Sequence, residues 1–167
     1  MSQNYDVVII GSGPGGYVTA IRCSQLGLKT AIVEKDAKVP NVGLGGTCLH
    51  RGCIPTKAML RSATLLDEAR HAGDYGVKLG GIELDFPGVA KFRDKIVMKG
   101  AKGVEFLMKK HKVDVHSGWG RLSGAGRVVV ANEAGETTLE TKNVILAMGS
   151  VPRDLPFLKA NGTTIVN

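Results

Sequence analysis

The chain has 167 residues, 43% hydrophobic and 22% charged, a composition that fits a folded domain and excludes a disordered tail. Its longest early uncharged stretch, Val7 to Ile21, carries four glycines and Pro14 and is too short for a membrane span, and no basic stretch precedes it as in a secretory signal. The net charge of +7 is concentrated between Lys91 and Lys112; with only 5% aromatic residues for base stacking, this excess reads as the solvated face of a helix rather than a nucleic-acid surface.

In chain order, Tyr5–Ile10 is a β-branched run ending on glycine, the pattern of a buried strand. Helical spacing follows from Pro14 to Leu26, with Gly27 as its stop, and Lys29–Val33 is a second buried strand. This β–α–β order predicts an α/β fold with a central parallel sheet. Asp36–Gly46 reads as a loop containing Pro40, and a long helix is expected from about Cys48 or Gly52 to Arg70. Next comes the basic amphipathic helix, with Phe92, Ile96, Val104, Leu107 and Met108 as its apolar stripe. Lys112–Ser117 is expected to be a strand, Arg127–Ala131 and Thr137–Glu140 an antiparallel hairpin, and Asn143–Ala147 a further buried strand. The expected division is a domain over residues 1–150, with 151–167 beginning a connection to another domain.

The first strand runs directly into Gly11-Ser-Gly-Pro-Gly-Gly16, a G-x-G-x-x-G, and Glu34 closes the second strand 18 residues after Gly16. In this context the motif is a dinucleotide fingerprint. Gly11 permits the tight turn, Gly13 lets a pyrophosphate approach the backbone, and Gly16 lets helix and strand pack closely. Pro14 and Gly15 open the helix, whose N–H groups and dipole face the phosphates. Glu34 is the expected acceptor of ribose hydroxyls, and its charge disfavours a 2′-phosphate. The motif does not distinguish FAD from NAD.

Of three cysteines, Cys23 lies among apolar helix neighbours and reads as structural. Cys48 and Cys53 stand in Gly45-Gly-Thr-Cys-Leu-His-Arg-Gly-Cys-Ile-Pro-Thr-Lys57. A zinc site needs a second ligand pair, which is missing, so a redox-active pair of thiols is favoured. In a regular helix, residues five apart have Cα atoms roughly 8.5–9 Å apart, beyond the ~7 Å a disulfide tolerates. Pairing would therefore require a distorted first turn, for which Gly52 and Pro55 are suited. A thiolate at a helix N-terminus is stabilised in its reactive form.

At these residues the chain resembles the pyridine nucleotide–disulfide oxidoreductases, flavoprotein disulfide reductases with a Gly-Gly-Thr-Cys-x4-Cys-x-Pro-x-Lys box; Leu49, Ile54 and the Cys-Ile-Pro-Thr-Lys ending resemble the branch that oxidises dihydrolipoamide. The resemblance spans residues 4 to about 155 and implies a Rossmann-like FAD-binding domain with an antiparallel meander. NAD and dimer-interface domains lie beyond this segment in that family. It implies a Cys48–Cys53 redox disulfide, with Cys48 exchanging with lipoyl sulfur, Cys53 beside the flavin and Lys57 near flavin N5. Gly11, Gly13, Pro14, Gly15, Gly16, Glu34 and Lys35 would hold the pyrophosphate and ribose, and Gly45, Gly46 and Thr47 would line the flavin side. Gly118 and Gly120 would touch adenine through the backbone around Trp119. Ala147, Met148 and Gly149 match the end of the last strand, with Met148 where the family more often has Thr. No metal is expected.

The implied activity is reoxidation of protein-bound dihydrolipoamide, with hydride passed to NAD+. The implied partners are lipoyl domains of a 2-oxoacid dehydrogenase or glycine cleavage complex and a second copy of the chain; neither nucleic acid nor membrane is expected, and the implied location is cytoplasmic, or the mitochondrial matrix in a eukaryote. None of His50, His71, His111 and His116 stands in the family's His–Glu motif, and no second G-x-G-x-x-G appears before Asn167. The 167 residues alone are accordingly expected to be inactive. A mercuric or glutathione-type reductase, a non-catalytic flavin-binding module and an NAD-only protein with incidental cysteines are the competing readings.

Overall fold

Residues 3–39 and 42–166 are described by a computed structural model, so Pro40 of the expected loop lies outside them. The short apolar runs form the middle of a six-stranded sheet: β1 (Gln3–Ile10), β2 (Thr30–Glu34) and β3 (Asp114–Ser117) lie parallel, with β2 between β1 and β3 and a later strand on the other side of β1. A meander adds β4 (Trp119–Leu122), β5 (Arg127–Asn132) and β6 (Gly135–Leu146), giving the order β3-β2-β1-β6-β5-β4. The β6 strand pairs antiparallel with β5 through its first half and parallel with β1 from Leu139 to Leu146.

Strands buried on both faces need apolar side chains at successive positions, as β1 and β2 have. Val7, Ile9 and Ile32 face the helices, where they pack with Ala20, Leu49, Val104 and Met108. Val8, Ile10, Ala31 and Val33 face the other way and are covered by Val128, Val130 and Leu139 of the meander. The molecule is thus a parallel sheet with helices on one face and an antiparallel flap on the other, the expected Rossmann-like arrangement.

The helices are α1 (Pro14–Gln25), α2 (Gly46–His50), α3 (Cys53–Arg70) and α4 (Phe86–Lys110). The basic helix begins at Phe86, earlier than the charge run suggests, because the Asp85 carboxylate caps it by accepting the Gly88 N–H at 3.0 Å. Its apolar stripe is narrower than expected: Val104 and Met108 are buried, whereas Phe92 is 40% exposed.

The last two expected strands are one. Glu140-Thr-Lys142 reads as a break because it is polar, yet these residues lie where β6 passes from β5 to β1. The Thr141 hydroxyl is satisfied by donating to the Asn143 carbonyl at 2.9 Å, and Lys142 pairs with Asp6 at 2.8 Å. Its second half is only partly buried, not the core strand that Val-Ile-Leu suggests.

A partly buried side-chain link anchors the outermost parallel strand. The Tyr5 hydroxyl donates to Asp114 Oδ2 at 3.0 Å and lies 3.0 Å from His116 Nε2. Because the single hydroxyl proton goes to the carboxylate, His116 is the donor to Tyr5 and carries its proton on Nε2. Burial lowers the His116 pKa against the pull of Asp114, and burial with the Asp114 contact raises the Tyr5 phenol well above its ordinary value.

Candidate functional site

The carboxyl ends of β1 and β2 and the start of α1 meet at Gly11–Gly16. Gly11 has φ +99°, and a Cβ there would stand 2.7 Å from the Ala147 carbonyl carbon and 2.9 Å from Met148 Cα. A Cβ on Gly16 would lie 2.9 Å from the Gly11 carbonyl carbon. Both are therefore glycine because main chain occupies the space. Gly13 is different: nothing lies within 4 Å of its would-be Cβ, and its φ of −61° is open to any residue. No side chain caps α1; Pro14 has no N–H and the Gly16 N–H turns back to the Gly13 carbonyl at 2.8 Å, which leaves the Gly15 N–H for an outside acceptor. A bare backbone cradle at an uncapped helix start is what a diphosphate requires, and FAD fits it.

Ser12, which motif reasoning passes over, is fully buried and organises the turn. Its N–H and hydroxyl donate to Glu34 Oε2 at 2.9 and 2.7 Å, and Glu34 Oε1 accepts the Asp36 N–H at 3.1 Å. A carboxylate has about four acceptor positions. Glu34 thus keeps capacity for a ribose hydroxyl while it locks the loop. The available signal was its place directly after the constrained Gly11, where a small polar side chain points inward.

The cysteine segment docks on the same turn. Gly45 N–H donates to the Ser12 carbonyl at 3.1 Å and contacts Ser12 Oγ at 3.2 Å. Gly46 has φ +64°, and a Cβ on it would stand 2.7 Å from Gly13 Cα. The helix then breaks at Arg51 and Gly52, whose N–H groups both donate to the Thr47 carbonyl, at 2.8 and 2.7 Å. This break brings the Cys48 and Cys53 Cα atoms to 4.6 Å, and the two sulfurs form a disulfide. Gly52 caps α3, and Pro55 occupies its first turn, where a missing N–H costs nothing. Cys23 is the free cysteine among the described residues.

Around this centre, Lys57 lies one turn beyond Cys53 on α3 with its side chain exposed, and Thr47 is exposed on α2. His50 is committed elsewhere: its Nε2 donates to the Leu44 carbonyl at 2.9 Å. Ala147 donates its N–H to the Ile10 carbonyl at 2.8 Å, which lays Ala147–Gly149 against the first turn with the Met148 side chain exposed. Gly118 N–H donates to the Glu34 carbonyl at 3.1 Å, so Gly118–Gly120 crosses the ends of β2 and β1. Lys35 is paired with Asp36 at 3.0 Å. Contacts thus bring Gly11–Gly16, Glu34, Gly45, Gly46, Gly118 and Ala147 together at the carboxyl ends of β1 and β2, while Lys57 lies one turn into α3.

Comparison with known proteins agrees. The chain is 48% identical to the dihydrolipoyl dehydrogenase of Bacillus subtilis, with 99% of this chain and 36% of that protein aligned. It is 42% identical to the mitochondrial dihydrolipoyl dehydrogenase of Dictyostelium discoideum (99% and 33% covered) and 43% identical to leghemoglobin reductase of Vigna unguiculata (99% and 31%). The chain therefore spans about a third of the length of these relatives. With residues 5–166 matching its defining pattern, and the segment that carries the disulfide packed on the glycine turn through Gly45 and Gly46, the chain belongs to the pyridine nucleotide-disulphide oxidoreductase family.

Proposed function

We propose that this chain supplies the FAD-binding turn and the redox disulfide of an enzyme that reoxidises protein-bound dihydrolipoamide and passes the electrons to NAD+. The observation that carries the reading is the Cys48–Cys53 disulfide, held across a helix break whose first residues pack on the diphosphate cradle. A disulfide fixed beside a dinucleotide turn is arranged for electron exchange, and the dihydrolipoyl dehydrogenases among the relatives support the choice of substrate.

The protein's own part in the chemistry is thiol–disulfide exchange. A thiolate of the substrate dithiol attacks Cys48 Sγ, the new S–S bond forms as the Cys48–Cys53 bond breaks, and Cys53 leaves as thiolate. Cys53 opens the 18-residue helix α3, whose positive end stabilises that charge. The second substrate thiolate then attacks its own chain's sulfur in the mixed disulfide. Lipoamide closes, Cys48 is released as thiolate and takes up a proton, and two electrons have passed from the dithiol to the cysteine pair. Bound FAD supplies the two-electron acceptor that returns the pair to disulfide. Gly13 and the α1 N-terminus would hold its diphosphate, Glu34 its ribose, and Lys57 would supply a cation toward the flavin. Lipoyl domains as partners and a paired second copy belong to the same proposal.

Turnover tests it. A protein of the relatives' length carrying this segment should reduce NAD+ with dihydrolipoamide, and Cys48→Ser or Cys53→Ser should abolish turnover while FAD stays bound. Turnover with glutathione or mercuric ion, without dihydrolipoamide activity, would overturn the substrate assignment.

A further inference from the structure

Lys91, Lys95, Lys99, Lys102, Phe106 and Lys109 follow one another along α4 at intervals of three or four residues, so they share one face of the helix. Met98 lies on the same face, between Lys95 and Lys102. The five lysines are exposed, and so are Met98 at 50% and Phe106 at 62%. Among the described residues none of these five ammonium groups has an ion-pair partner, because the nearby acids are turned aside. Asp94 pairs with Arg93 at 2.8 Å, and Glu105 lies beside Gly43, 3.6 Å from where a Cβ there would stand. From Lys91 to Lys109 the stripe is about 27 Å long at the helical rise per residue.

This surface fits an acidic protein better than lipid. A helix that lies on a membrane puts its apolar face into the bilayer, but that face of α4 is already used: Val104 and Met108 are buried in the core, and Gly100 lies against Leu49. Met98 and Phe106 instead stand singly among charges, and methionine and aromatic side chains are what protein interfaces are enriched in. Like charges along one face repel one another, and carboxylates of a partner remove that repulsion. The stripe also has a position relative to the disulfide. Met98 and Lys102 border a cavity of about 970 Å³ that is lined as well by His50 and Arg51, which stand between the paired cysteines.

We infer that the basic face of α4 docks the protein domain that carries the dithiol, pairing its lysines with a row of carboxylates on that domain and seating apolar side chains of the domain on Met98 and Phe106. This rests on the dihydrolipoamide reading of the cysteine pair and adds to it the surface on which the carrier arrives. Opposite charge on the two partners speeds their encounter at low salt.

Turnover with two forms of one substrate separates docking from chemistry. A protein of the relatives' length carrying this segment is assayed with free dihydrolipoamide and with an isolated dihydrolipoyl domain of negative net charge, at low and at high ionic strength. Lys91→Glu/Lys95→Glu/Lys99→Glu should lower kcat/KM for the domain about tenfold through KM, and the Gln triple variant by about threefold. Phe106→Ser should lower it by about fivefold. Salt should depress the parent's kcat/KM for the domain and leave that of the Glu variant nearly level. All four proteins should turn over free dihydrolipoamide equally. An unchanged kcat/KM for the domain in the Glu variant, or an equal fall with both substrates, would overturn the docking surface and leave the substrate reading standing. So would retention of the parent, but not the Glu variant, on phosphatidylserine vesicles with domain turnover the same in both. A parent inactive toward free dihydrolipoamide would overturn the substrate reading, and the docking surface with it.

Discussion

Two glycine turns lie at the carboxyl edge of the sheet, Gly11–Gly16 and Gly118–Gly120, and glycine serves them for reasons that coincide at Gly11 and Gly118 and differ at Gly13 and Gly120. At the first, Gly11 and Gly16 face main-chain atoms of Ala147, Met148 and Gly11 itself, which have no rotamers to change. At the second, Gly118 has φ +147° and likewise faces main chain, the Ala131 carbonyl carbon at 3.1 Å, whereas Gly120 faces the side chains of Ile10 and Val33, which can yield a little. Gly13, between the first two, faces no protein atom within 4 Å. Glycines demanded by packing are recognised by what a Cβ would strike; a glycine demanded by a ligand is recognised by open space at a position whose φ any residue could adopt.

The largest effect tests that contrast. Gly11→Ala and Gly16→Ala should each destabilise the fold by roughly 3 kcal/mol or more, since backbone must move, and many preparations will not fold. Gly13→Ala should change stability by under ~1 kcal/mol and weaken FAD and ADP binding strongly. Denaturant melts with a binding titration check this, and a Gly13 variant as unstable as the Gly16 variant would remove the distinction.

The disulfide sharpens the comparison at the first turn. Closing so short a loop limits the unfolded chain by about 2 kcal/mol, so Cys48→Ser/Cys53→Ser should lower stability by that order without moving Gly46 from Gly13. If hydrogen exchange at Gly45 and Gly46 rises to that of a free loop, the bond rather than the glycine contact holds the segment. At the second turn, Gly120→Ala should cost about 1–2 kcal/mol by overpacking. In an Ile10→Ala background, which lacks both γ carbons that the new Cβ would meet, the added cost of Gly120→Ala should be smaller, because Ile10 is the nearer obstacle. The same relief at Gly11 is not available, because the obstacle there is main chain.

How far the sequence could show this depends on the range of the interactions. The parallel strands, the nucleotide turn and the cysteine pair are legible because each is local: β-branched runs, glycine spacing, and two cysteines five apart in a segment with Gly52 and Pro55. The helix break at Arg51 was foreseen only as a condition for pairing, and the structure meets it through the shared Thr47 carbonyl. Ser12 was missed because its partners, Glu34 and Gly45, lie far along the chain. β6 was divided in two because a polar stretch in a strand reads as an end, and only its change of partner from β5 to β1 explains Glu140–Lys142. Phe92 sits on the right helical period, yet the buried part of that face begins further along α4, where Gly100 lies against Leu49 and Val104 is buried.

The smallest expected effect separates the two turns by pH, because the second hangs from β3 and β3 is tied to β1 through Tyr5. His116 is held below its ordinary 6.5 by burial, so the folded chain resists a proton that the unfolded chain accepts. The unfolded state therefore binds more protons as pH falls below about 6.5, and stability present at neutral pH declines there until the folded-state value is passed. Tyr5 acts at the other limit: its phenol stays protonated when folded, so its contribution is complete below its ordinary value of 10.0 and is lost as pH rises above it. His116→Gln, which keeps an N–H donor for Tyr5, should flatten the acid limb without altering the alkaline one. The local readout is Trp119, two residues past the end of β3. Its emission should change on acidification in the parent chain before global unfolding and stay constant in His116→Gln, while amide exchange at Gly11 and Ser12 is the same in both. Equal acid sensitivity at the two turns would show that the Tyr5 link does not act on the β3 end alone.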